Sequence, residues 1–224
     1  MKNKEFYSIA IDGPAASGKS TAAKGVAKEL GFLYVDTGAM YRAFTLFLIE
    51  KGLDNKNEKD ALSVLDKCDI YEDKNGHVFL NGKDVTSRVR ENDVSSLVSY
   101  SCAYKAVREK MVDLQRKMAR NESVVMDGRD IGTVVLVDAD LKVYQTATPE
   151  ARAKRRYLED KEQGRNSSYE DILEAIKKRD YIDSHRQNSP LTKAPDAIEL
   201  DTSDMSIKEE TDKIISLFKE KVGK

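Results

Sequence analysis

A glycine-rich string near the start of the chain constrains the fold more than any other feature. Residues 13–20 read Gly-Pro-Ala-Ala-Ser-Gly-Lys-Ser and match the phosphate-loop pattern GxxxxGK[ST] at every position. Glycines let a backbone curl around an anion, and a helix that starts directly after the loop points the positive end of its dipole at that anion. An apolar run before the string and a helical pattern after it supply the required order of strand, loop and helix.

Residue chemistry assigns roles inside this string. Lys19 supplies a mobile cation for the β- and γ-phosphates of a nucleotide, and the hydroxyl of Ser20 is suited to ligate Mg²⁺. The string therefore predicts a nucleotide-binding loop, with ATP as the expected nucleotide. The predicted ATP-binding residues are Gly13, Pro14, Ala15, Ala16, Ser17, Gly18, Lys19, Ser20 and Thr21.

The chain as a whole alternates between strand-like and helical patterns. Strands are predicted at residues 7–12, 33–35, 123–127, 142–146 and 197–200. Helices are predicted at residues 20–30, 39–50, 93–120, 150–162, 169–184 and 207–221. Such alternation implies right-handed crossovers and a mainly parallel sheet with helices on both faces.

A different pattern fills residues 57–90. Two strand-like runs, 70–73 and 77–80, flank a turn at Asn75-Gly76, and a second Asn-Gly pair follows at 81–82. An Asn-Gly pair between strand-like runs is a strong hairpin signal. We therefore expect a small α+β insertion in this region.

Composition excludes several broad classes of protein. The chain has 224 residues, enough for one sizeable core, and its net charge is only -1 although 34% of its residues are charged. This balance argues against general binding to nucleic acid or to a membrane surface. Cys68 and Cys102 have neither metal-site nor CxxC spacing, which favours a reduced cytoplasmic setting. No apolar run is long enough to cross a bilayer.

Phosphate loops serve switches, ATPases and kinases alike. A GTPase would need the guanine-reading pattern NKxD, and the nearest string, residues 55–58, ends in Glu. A small-molecule kinase needs an acceptor pocket, cations around the transferred group and a closure that expels water. Residues later in the chain offer candidates for all three.

Two further strings carry a resemblance to a known family. Residues 36–42 read Asp-Thr-Gly-Ala-Met-Tyr-Arg, and residues 127–133 read Asp-Gly-Arg-Asp-Ile-Gly-Thr. With Ile-Asp-Gly-Pro at 11–14 and the set Arg179, Asp180, Asp183 and Arg186, they resemble the bacterial-type cytidylate kinases, a family of P-loop nucleoside monophosphate kinases. The resemblance runs nearly end to end and includes the hairpin insertion.

This resemblance implies the fold and its parts. The expected fold is the α/β three-layer P-loop kinase fold, with a central parallel five-stranded sheet, helices on both faces, a small α+β hairpin-containing insertion that binds the nucleoside monophosphate, and a helical lid. One kinase domain is expected over residues 1–224. Its core is expected at about 1–38, 91–149 and 185–224, the monophosphate-binding region at about 39–90 with the hairpin at about 69–86, and the lid at about 150–168.

The resemblance also implies which residues bind the acceptor. Arg42, Arg129 and Arg186 match the family's acceptor-phosphate arginines, and planar guanidinium groups suit bidentate binding of phosphate. The positions expected to read the base are Ser99, Arg108 and Asp130. The other residues expected to border the acceptor are Thr37, Tyr41, Arg179 and Asp183, the last of them at the sugar hydroxyls.

Hydrogen-bonding chemistry supports the base-reading positions. The carboxylate of Asp130 can accept from the N4 amino group of cytosine, while Arg108 donates to N3 and O2. Uracil reverses this pattern, and leaving buried charges mispaired costs on the order of 2–5 kcal/mol. The sequence therefore predicts a strong preference for CMP over UMP and leaves the order of CMP and dCMP open.

A lid and a metal ion are expected on the side of the site that binds ATP, the phosphoryl donor. Arg152, Arg155 and Arg156 are three and four residues apart, so they face one side of the predicted helix. In the family this segment closes over ATP, and its arginines neutralise the transferred group as an arginine finger does. Asp127 is expected to hold Mg²⁺ through water, beside Ser20. The expected catalytic residues are Lys19, Arg129, Arg152, Arg155 and Arg156.

The expected reaction is in-line, Mg²⁺-assisted transfer of the γ-phosphoryl group of ATP to CMP or dCMP, which yields ADP with CDP or dCDP. Two alternatives stay open: another small-molecule P-loop kinase acting on UMP or a non-nucleotide acceptor, and a nucleotide-binding regulator without turnover. ATP and CMP or dCMP are the expected partners, with no nucleic acid and no membrane. A monomer in the cytoplasm is expected.

Overall fold

The computed structural model describes residues 5–162 and 164–223, which divide into two compact units. Of the described residues, unit 1 comprises 5–7 and 32–124, and unit 2 comprises 8–31 and 125–223. The first four residues of the predicted core, its last residue and Gln163 of the predicted lid lie outside the described residues.

The order of elements alternates between strands and helices, as the sequence predicts. The described strands are β1 (Ser8–Asp12), β2 (Leu33–Asp36), β3 (Ile70–Glu72), β4 (Val78–Leu80), β5 (Lys83–Asp84), β6 (Val124–Gly128), β7 (Leu141–Thr146) and β8 (Ile198–Asp201). The described helices are α1 (Lys19–Leu30), α2 (Thr37–Glu50), α3 (Glu58–Val64), α4 (Asn92–Ser101), α5 (Lys105–Asn121), α6 (Pro149–Glu162), α7 (Tyr169–His185) and α8 (Ile207–Val222).

The main sheet has five strands in the order β2-β6-β1-β7-β8. Strand β1 pairs with β7 in parallel from Ile9↔Leu141 to Asp12↔Tyr144, and β7 pairs with β8 in parallel. Ile9 and Ile11 are completely buried and Ala10 nearly so, which is the burial pattern of a strand covered on both faces. The predicted α/β class with a central parallel five-stranded sheet is confirmed.

Local signals set the helix ends in unit 2. Helix α1 ends at Gly31, where φ is +68° and the N–H donates to the carbonyls of Ala27 and Lys28. Helix α8 begins with a capping box between Ser206 and Glu209, and it packs against α1. Helices α6 and α7 pack on each other through a small apolar cluster: Ala153, Tyr157, Tyr169, Ile172, Leu173 and Ile176.

Unit 1 contains the predicted hairpin. Strands β3 and β4 are antiparallel, and β5 extends them into a three-stranded sheet. A two-residue turn joins β4 to β5, with φ of 49° at Asn81 and 79° at Gly82. Positive φ at both central residues is the signature of a type I′ turn, whose twist matches that of the strands it joins. The second Asn-Gly pair therefore adds a third strand, which the sequence analysis did not predict.

The mostly helical segment predicted at 93–120 is confirmed, with a break that the sequence analysis did not locate. The pattern at 93–120 predicts a mostly helical segment, and the structure has two helices there, α4 and α5, separated by residues 102–104. The hydroxyl of Ser101 lies 2.7 Å from that of Thr45, and the hydroxyl of Tyr104 donates to the carbonyl of Asn55. These contacts with distant parts of unit 1 hold the end of α4 and the start of α5. A helical pattern in the sequence carries no information about such contacts. A π-helical turn at Ile131–Val135 was likewise not predicted.

Within the described ranges, every helix is too short or too polar to cross a bilayer.

We expect Gly13→Ala to destabilise unit 2 by steric overlap. A Cβ at residue 13 would collide with the backbone carbonyl oxygen of Gln145 in β7, and a backbone atom cannot move aside as a flexible side chain can. The free energy of unfolding, measured in urea, should fall by more than about 2 kcal/mol. Gly76→Ala is the control, because its Cβ meets open space and only its φ of +79° adds strain of about 1 kcal/mol. Equal losses in the two variants would contradict the overlap.

Candidate active site

The phosphate loop has the backbone shape that its sequence predicts. It connects β1 to α1, and positive φ angles at Ala16 (59°) and Gly18 (89°) bend the chain tightly before the helix. Lys19 is only 6% exposed, and its Nζ donates to the carbonyl of Pro14, 3.1 Å away. The ammonium group of Lys19 is therefore held at the loop that it is predicted to serve.

A pocket of about 500 Å³ opens on this loop within unit 2. Its lining comprises Ala16, Ser17, Gly18, Lys19, Ser20, Thr21, Arg155, Arg156, Glu159, Met205, Ser206 and Ile207. The volume falls in the range of small-molecule and cofactor sites. Six of the nine predicted ATP-binding residues line it, while Gly13, Pro14 and Ala15 form the first part of the loop outside this lining.

The two predicted metal-side residues are in direct contact. The Ser20 hydroxyl donates to Oδ2 of Asp127 at 2.7 Å, and Asp127 is only 3% exposed at the end of β6. A hydroxyl and a carboxylate are hard oxygen donors, which Mg²⁺ prefers, and Mg²⁺ usually keeps several waters and substrate oxygens as its other ligands. The described residues contain no cluster of three or more His, Cys, Asp or Glu side chains placed for a metal.

Asp12 connects the strand before the loop to the second matched string. Its carboxylate accepts the backbone N–H groups of Ile131 and Gly132, each at 2.7 Å. Burial raises the pKa of Asp12 to about 6, and the two backbone hydrogen bonds limit that rise. The π-helical turn at Ile131–Val135 is thus tied to the end of β1.

Four predicted acceptor-side residues form two ion pairs in unit 2. Nε of Arg129 donates to Oδ2 of Asp183 at 2.7 Å, and Nη2 of Arg186 lies 3.6 Å from Oδ1 of Asp130. Nη2 of Arg186 is buried and makes no hydrogen bond to any other described residue, so it keeps a donor to offer. Arg179 lies on the exposed side of α7.

The three predicted lid arginines have three different environments. Arg152 is only 2% exposed, and its guanidinium donates to the carbonyls of Ala15 and Ala147 and, as a bidentate pair, to the carboxylate of Asp180. Arg155 and Arg156 line the pocket instead. Arg156 is exposed and pairs with Glu159 and Asp160 on its own helix. The spacing predicts that all three arginines share one helix face. In the structure, two of the three lie at the pocket.

Asp36 organises the acceptor-side residues of unit 1. Its Oδ1 accepts the N–H of Ala39 and caps α2, while its Oδ2 lies 3.2 Å from the guanidinium groups of both Arg42 and Arg90. Burial favours the neutral acid, but the two cations outweigh it and hold the pKa of Asp36 below its ordinary value. Nε of Arg42 is buried without a hydrogen bond to the described residues, which leaves it a donor for a ligand.

The other predicted residues of unit 1 lie on three helices. Thr37 is buried at the first position of α2, and the guanidinium of Arg108, on α5, lies 5.5 Å from the centre of the Tyr41 ring. Arg108 is only 5% exposed. Ser99 is exposed on α4. Arg108 and Tyr41 are thus brought together, while no contact shown places Ser99 beside them.

Several residues at or behind the site were not predicted from the sequence. Arg90 shares Asp36 with Arg42, Asp180 pairs with Arg152, and residues 205–207 line the pocket. The serine and glutamate of the capping box at 206–209 do mark a helix start in the sequence, and a helix start can be a binding site. Arg90 carries no comparable local signal, while Asp180 belongs to the set that carries the resemblance but was given no role there.

Two unpredicted side chains lie directly behind the phosphate loop. Glu210, on α8, is completely buried, with Oε2 3.2 Å from Nε2 of Gln145 and Oε1 3.5 Å from Nη1 of Arg155. Burial raises the pKa of Glu210 from its ordinary value of 4.5 to about 7, although Arg155 and the hydrogen bond from Gln145 oppose the rise.

Known proteins are similar to this chain over nearly its whole length. The family model for cytidylate kinase matches residues 9–220. A cytidylate kinase from Lactobacillus gasseri is 49% identical over 216 residues, which cover 95% of this chain and 94% of that protein. A cytidylate kinase from Oceanobacillus iheyensis is 50% identical over 220 residues, which cover 96% of each.

One solved structure shares the fold at low sequence identity. An uncharacterized protein from Eubacterium ventriosum is 18% identical, has a TM-score of 0.54, and the alignment covers 96% of this chain and 99% of that one. Identity this low shows a common fold alone.

We expect Glu210 to make stability fall as pH rises. Its folded-state pKa of about 7 exceeds its ordinary value of 4.5, so between these pH values the folded protein binds more protons than the unfolded chain. Glu210→Gln removes this dependence. Its free energy of unfolding, relative to wild type, should therefore rise by about 2–3 kcal/mol between about pH 5 and pH 8.

Urea denaturation at several pH values measures this difference, because the other titrating groups are common to both proteins. Glu220→Gln is the matched control, since Glu220 is exposed on the same helix. A difference that stays flat with pH for Glu210→Gln would show that Glu210 titrates normally.

Proposed function

This chain belongs to the cytidylate kinase family, and we propose that it transfers the γ-phosphoryl group of ATP to CMP or dCMP, giving ADP with CDP or dCDP. The match over residues 9–220 carries this conclusion. The geometry adds two separate sets of cations, one at the phosphate loop and one in the matched strings. A protein that only binds ATP has no use for the second set.

On the donor side, the phosphate loop and α6 hold ATP. Backbone N–H groups of residues 13–20 and the positive end of α1 bind the phosphates, and Lys19 neutralises charge on the β- and γ-phosphates. Arg155 and Arg156 face the same pocket and are the lid cations of the proposal. Arg152 has four guanidinium hydrogen bonds to the protein, so we assign it to anchoring the loop at Ala15.

Mg²⁺ is the proposed cofactor, held by the Ser20 hydroxyl and, through water, by Asp127. When bound, it neutralises charge on the phosphate oxygens of ATP. The hydrogen bond between Ser20 and Asp127 keeps both oxygens at one place beside the start of α1.

On the acceptor side, Arg42, Arg129 and Arg186 bind the phosphate of CMP. Arg42 and Arg186 each keep a buried donor atom that makes no hydrogen bond to the described residues, and their carboxylate partners hold the guanidinium planes in orientation. Asp183, which pairs with Arg129, is proposed to bind the sugar hydroxyls. The proposal requires all three arginines to reach one phosphate.

Asp130, Arg108 and Ser99 read the base in this proposal, with Thr37, Tyr41 and Arg179 bordering the nucleotide. Asp130 and Arg108 are 6% and 5% exposed, so either charge would be costly to leave without compensation opposite a mispaired base. That cost favours cytosine over uracil.

The reaction needs no general base. A phosphate monoester is largely a dianion at neutral pH, so its attacking oxygen has no proton to lose. The transition state is loose, with charge spread over the γ-phosphoryl oxygens, and catalysis consists of alignment and electrostatic stabilisation. Lys19 and the lid arginines supply charge from the donor side, and the acceptor arginines supply it from the other. Closure over both nucleotides excludes water and prevents idle hydrolysis of ATP.

We also propose a cytoplasmic monomer that binds neither nucleic acid nor membranes. The net charge of -1 supports this proposal, because charge-driven binding to polyanions needs a strongly basic surface.

An acceptor panel tests the function. Purified protein with Mg²⁺ and ATP is offered CMP, dCMP, UMP, AMP and shikimate in a coupled assay for ADP. CMP or dCMP should be consumed in step with ATP, at a kcat/KM well above that of UMP. Preference for UMP or shikimate would identify another small-molecule kinase, and ATP binding without any transfer would identify a regulator.

Asp130→Ala should narrow the gap in kcat/KM between CMP and UMP, because it removes the acceptor for the N4 amino group and the repulsion against O4 of uracil. We expect the ratio to fall at least about tenfold. Asp138→Ala is the control, because Asp138 is exposed a few residues farther along. An unchanged ratio in Asp130→Ala would remove Asp130 from base reading.

A further inference from the structure

A buried polar network lies behind the phosphate loop. Ser17, Gln145, Thr202 and Glu210 are each completely buried, and Arg155 reaches the same place from α6. These residues come from the loop, β7, the end of β8, α8 and α6, and all belong to unit 2. Buried polar groups where several elements meet either stabilise the fold or have a role in binding or catalysis.

The carbonyl oxygen of Ser17 is the centre of this network. It accepts from Nε2 of Gln145 at 2.6 Å and from Nη1 of Arg155 at 3.2 Å, and the hydroxyl of Thr202 lies 3.3 Å away. A backbone carbonyl oxygen has two lone pairs, so it can accept two hydrogen bonds at once. The two nitrogen donors, from β7 and α6, hold the plane of that peptide, while the single proton of the Thr202 hydroxyl is shared with the carbonyl of Thr146, 3.0 Å away.

The orientation of this carbonyl decides where the next N–H points. The chain has no cis peptide among its described residues, so the Ser17 carbonyl and the Gly18 N–H point in opposite directions. With the carbonyl turned into the buried network, the N–H of Gly18 faces away from it. That direction is the one a phosphate-binding loop needs.

The network also lies in contact with the loop itself. A Cβ at Gly18 would meet Oε2 of Glu210 at 3.1 Å, Nη1 of Arg155 at 3.4 Å and Nε2 of Gln145 at 3.5 Å. Gly18 therefore rests directly on these three side chains, and a shift in any of them is transmitted to the loop.

Glu210 fixes the orientation of its two neighbours. A carboxylate accepts hydrogen bonds, so it selects the amide orientation of Gln145 in which Nε2 faces both Glu210 and Ser17. The same carboxylate attracts Nη1 of Arg155, which lines the pocket. Without Glu210, the amide of Gln145 could turn its oxygen towards the Ser17 carbonyl and repel it.

The network carries the free-energy cost of burying polar atoms without hydrogen bonds, and a purely apolar core would avoid that cost. Oε1 of Gln145 and Oε1 of Glu210 are buried and make no hydrogen bond to the described residues. A pair of apolar side chains of similar volume would fill the same space without that cost, and such replacements of buried polar pairs are often neutral or stabilising.

We propose that Gln145 and Glu210 are positioning residues for ATP binding, which hold the Ser17–Gly18 peptide and Arg155 in the orientation that the phosphates require. This inference rests on the proposed ATP site at the phosphate loop. Neither residue touches the nucleotide. Both act through the loop backbone and through Arg155.

Three variants test the proposal: Gln145→Leu, Glu210→Gln, and the double variant Gln145→Leu/Glu210→Leu, which replaces the polar pair by an apolar one. For each we would measure KM for ATP and for CMP, kcat, the Kd of ATP by calorimetry without acceptor, and the melting temperature. Glu220→Gln, exposed on the same helix, is the control.

We expect Gln145→Leu to raise both KM and Kd for ATP about tenfold, because the main donor to the Ser17 carbonyl is lost. KM for CMP should change less than twofold, and kcat less than KM for ATP, since the loop binds ATP in the ground state as well. The nearly isosteric Glu210→Gln should give a smaller rise of the same kind.

The double variant separates positioning from packing. It removes the buried carboxylate and the buried amide together and leaves only the partly exposed guanidinium of Arg155, so its melting temperature should exceed that of Gln145→Leu, while KM and Kd for ATP stay raised. Recovery of ATP affinity together with stability would show that the pair is structural only. Unchanged ATP affinity in Gln145→Leu and Glu210→Gln would overturn the proposal as well.

The wild-type protein keeps this test separate from the proposed function. If wild type binds ATP but transfers no phosphoryl group to CMP, the proposed function fails while the calorimetric comparison still decides the positioning role. If wild type is active and the variants bind ATP normally, only the positioning role fails.

Discussion

Repulsion between like charges is the constraint on which the candidate site depends. A phosphoryl-transfer site needs several cations close together, yet guanidinium groups without counterions repel one another and turn towards solvent. In this chain each of the six arginines predicted to bind phosphate lies beside a carboxylate, at 2.6 to 3.6 Å. The pairs are Arg42–Asp36, Arg129–Asp183, Arg152–Asp180, Arg155–Glu210, Arg156–Asp160 and Arg186–Asp130, with Glu159 also beside Arg156. Within each unit, these pairs offset the charge of the arginines and hold their guanidinium groups in orientation.

This pairing also explains how so polar a site coexists with a stable fold. Asp36 caps α2 while it orients Arg42, and Asp12 binds the turn after β6 while it ends β1. Each of these carboxylates both ends or caps a secondary-structure element and binds a neighbouring group. They therefore fix those groups to the rigid ends of strands and helices. In the proposed function, the phosphate of the acceptor meets donors that are already oriented, such as Nε of Arg42, and little reorganisation is needed.

Much of the fold could be read from the sequence because its signals are local. The phosphate-loop string, the Asn-Gly turns and the alternation of strands and helices led to the confirmed α/β class with a five-stranded sheet, and the matched strings led to the confirmed family. The helical pattern at 93–120 did not locate the break at 102–104, because contacts with Thr45 and Asn55 set that break and periodicity carries no information about them. The roles of individual site residues stay predictions, although the structure brings Ser20 to Asp127 and Arg129 to Asp183.

The sequence by itself determined the class of chemistry, since a nucleotide-binding loop and two sets of matched residues need only their order along the chain to be recognised. Tertiary structure alone decided what each arginine contacts. Spacing places Arg152, Arg155 and Arg156 on one helix face, yet burial against Asp180 turns Arg152 to the loop backbone and leaves the other two at the pocket. The tertiary structure also places Gln145 and Glu210 behind Ser17, although they lie 128 and 193 residues farther along the chain. Such contacts depend on which elements meet in three dimensions, and no local pattern encodes that.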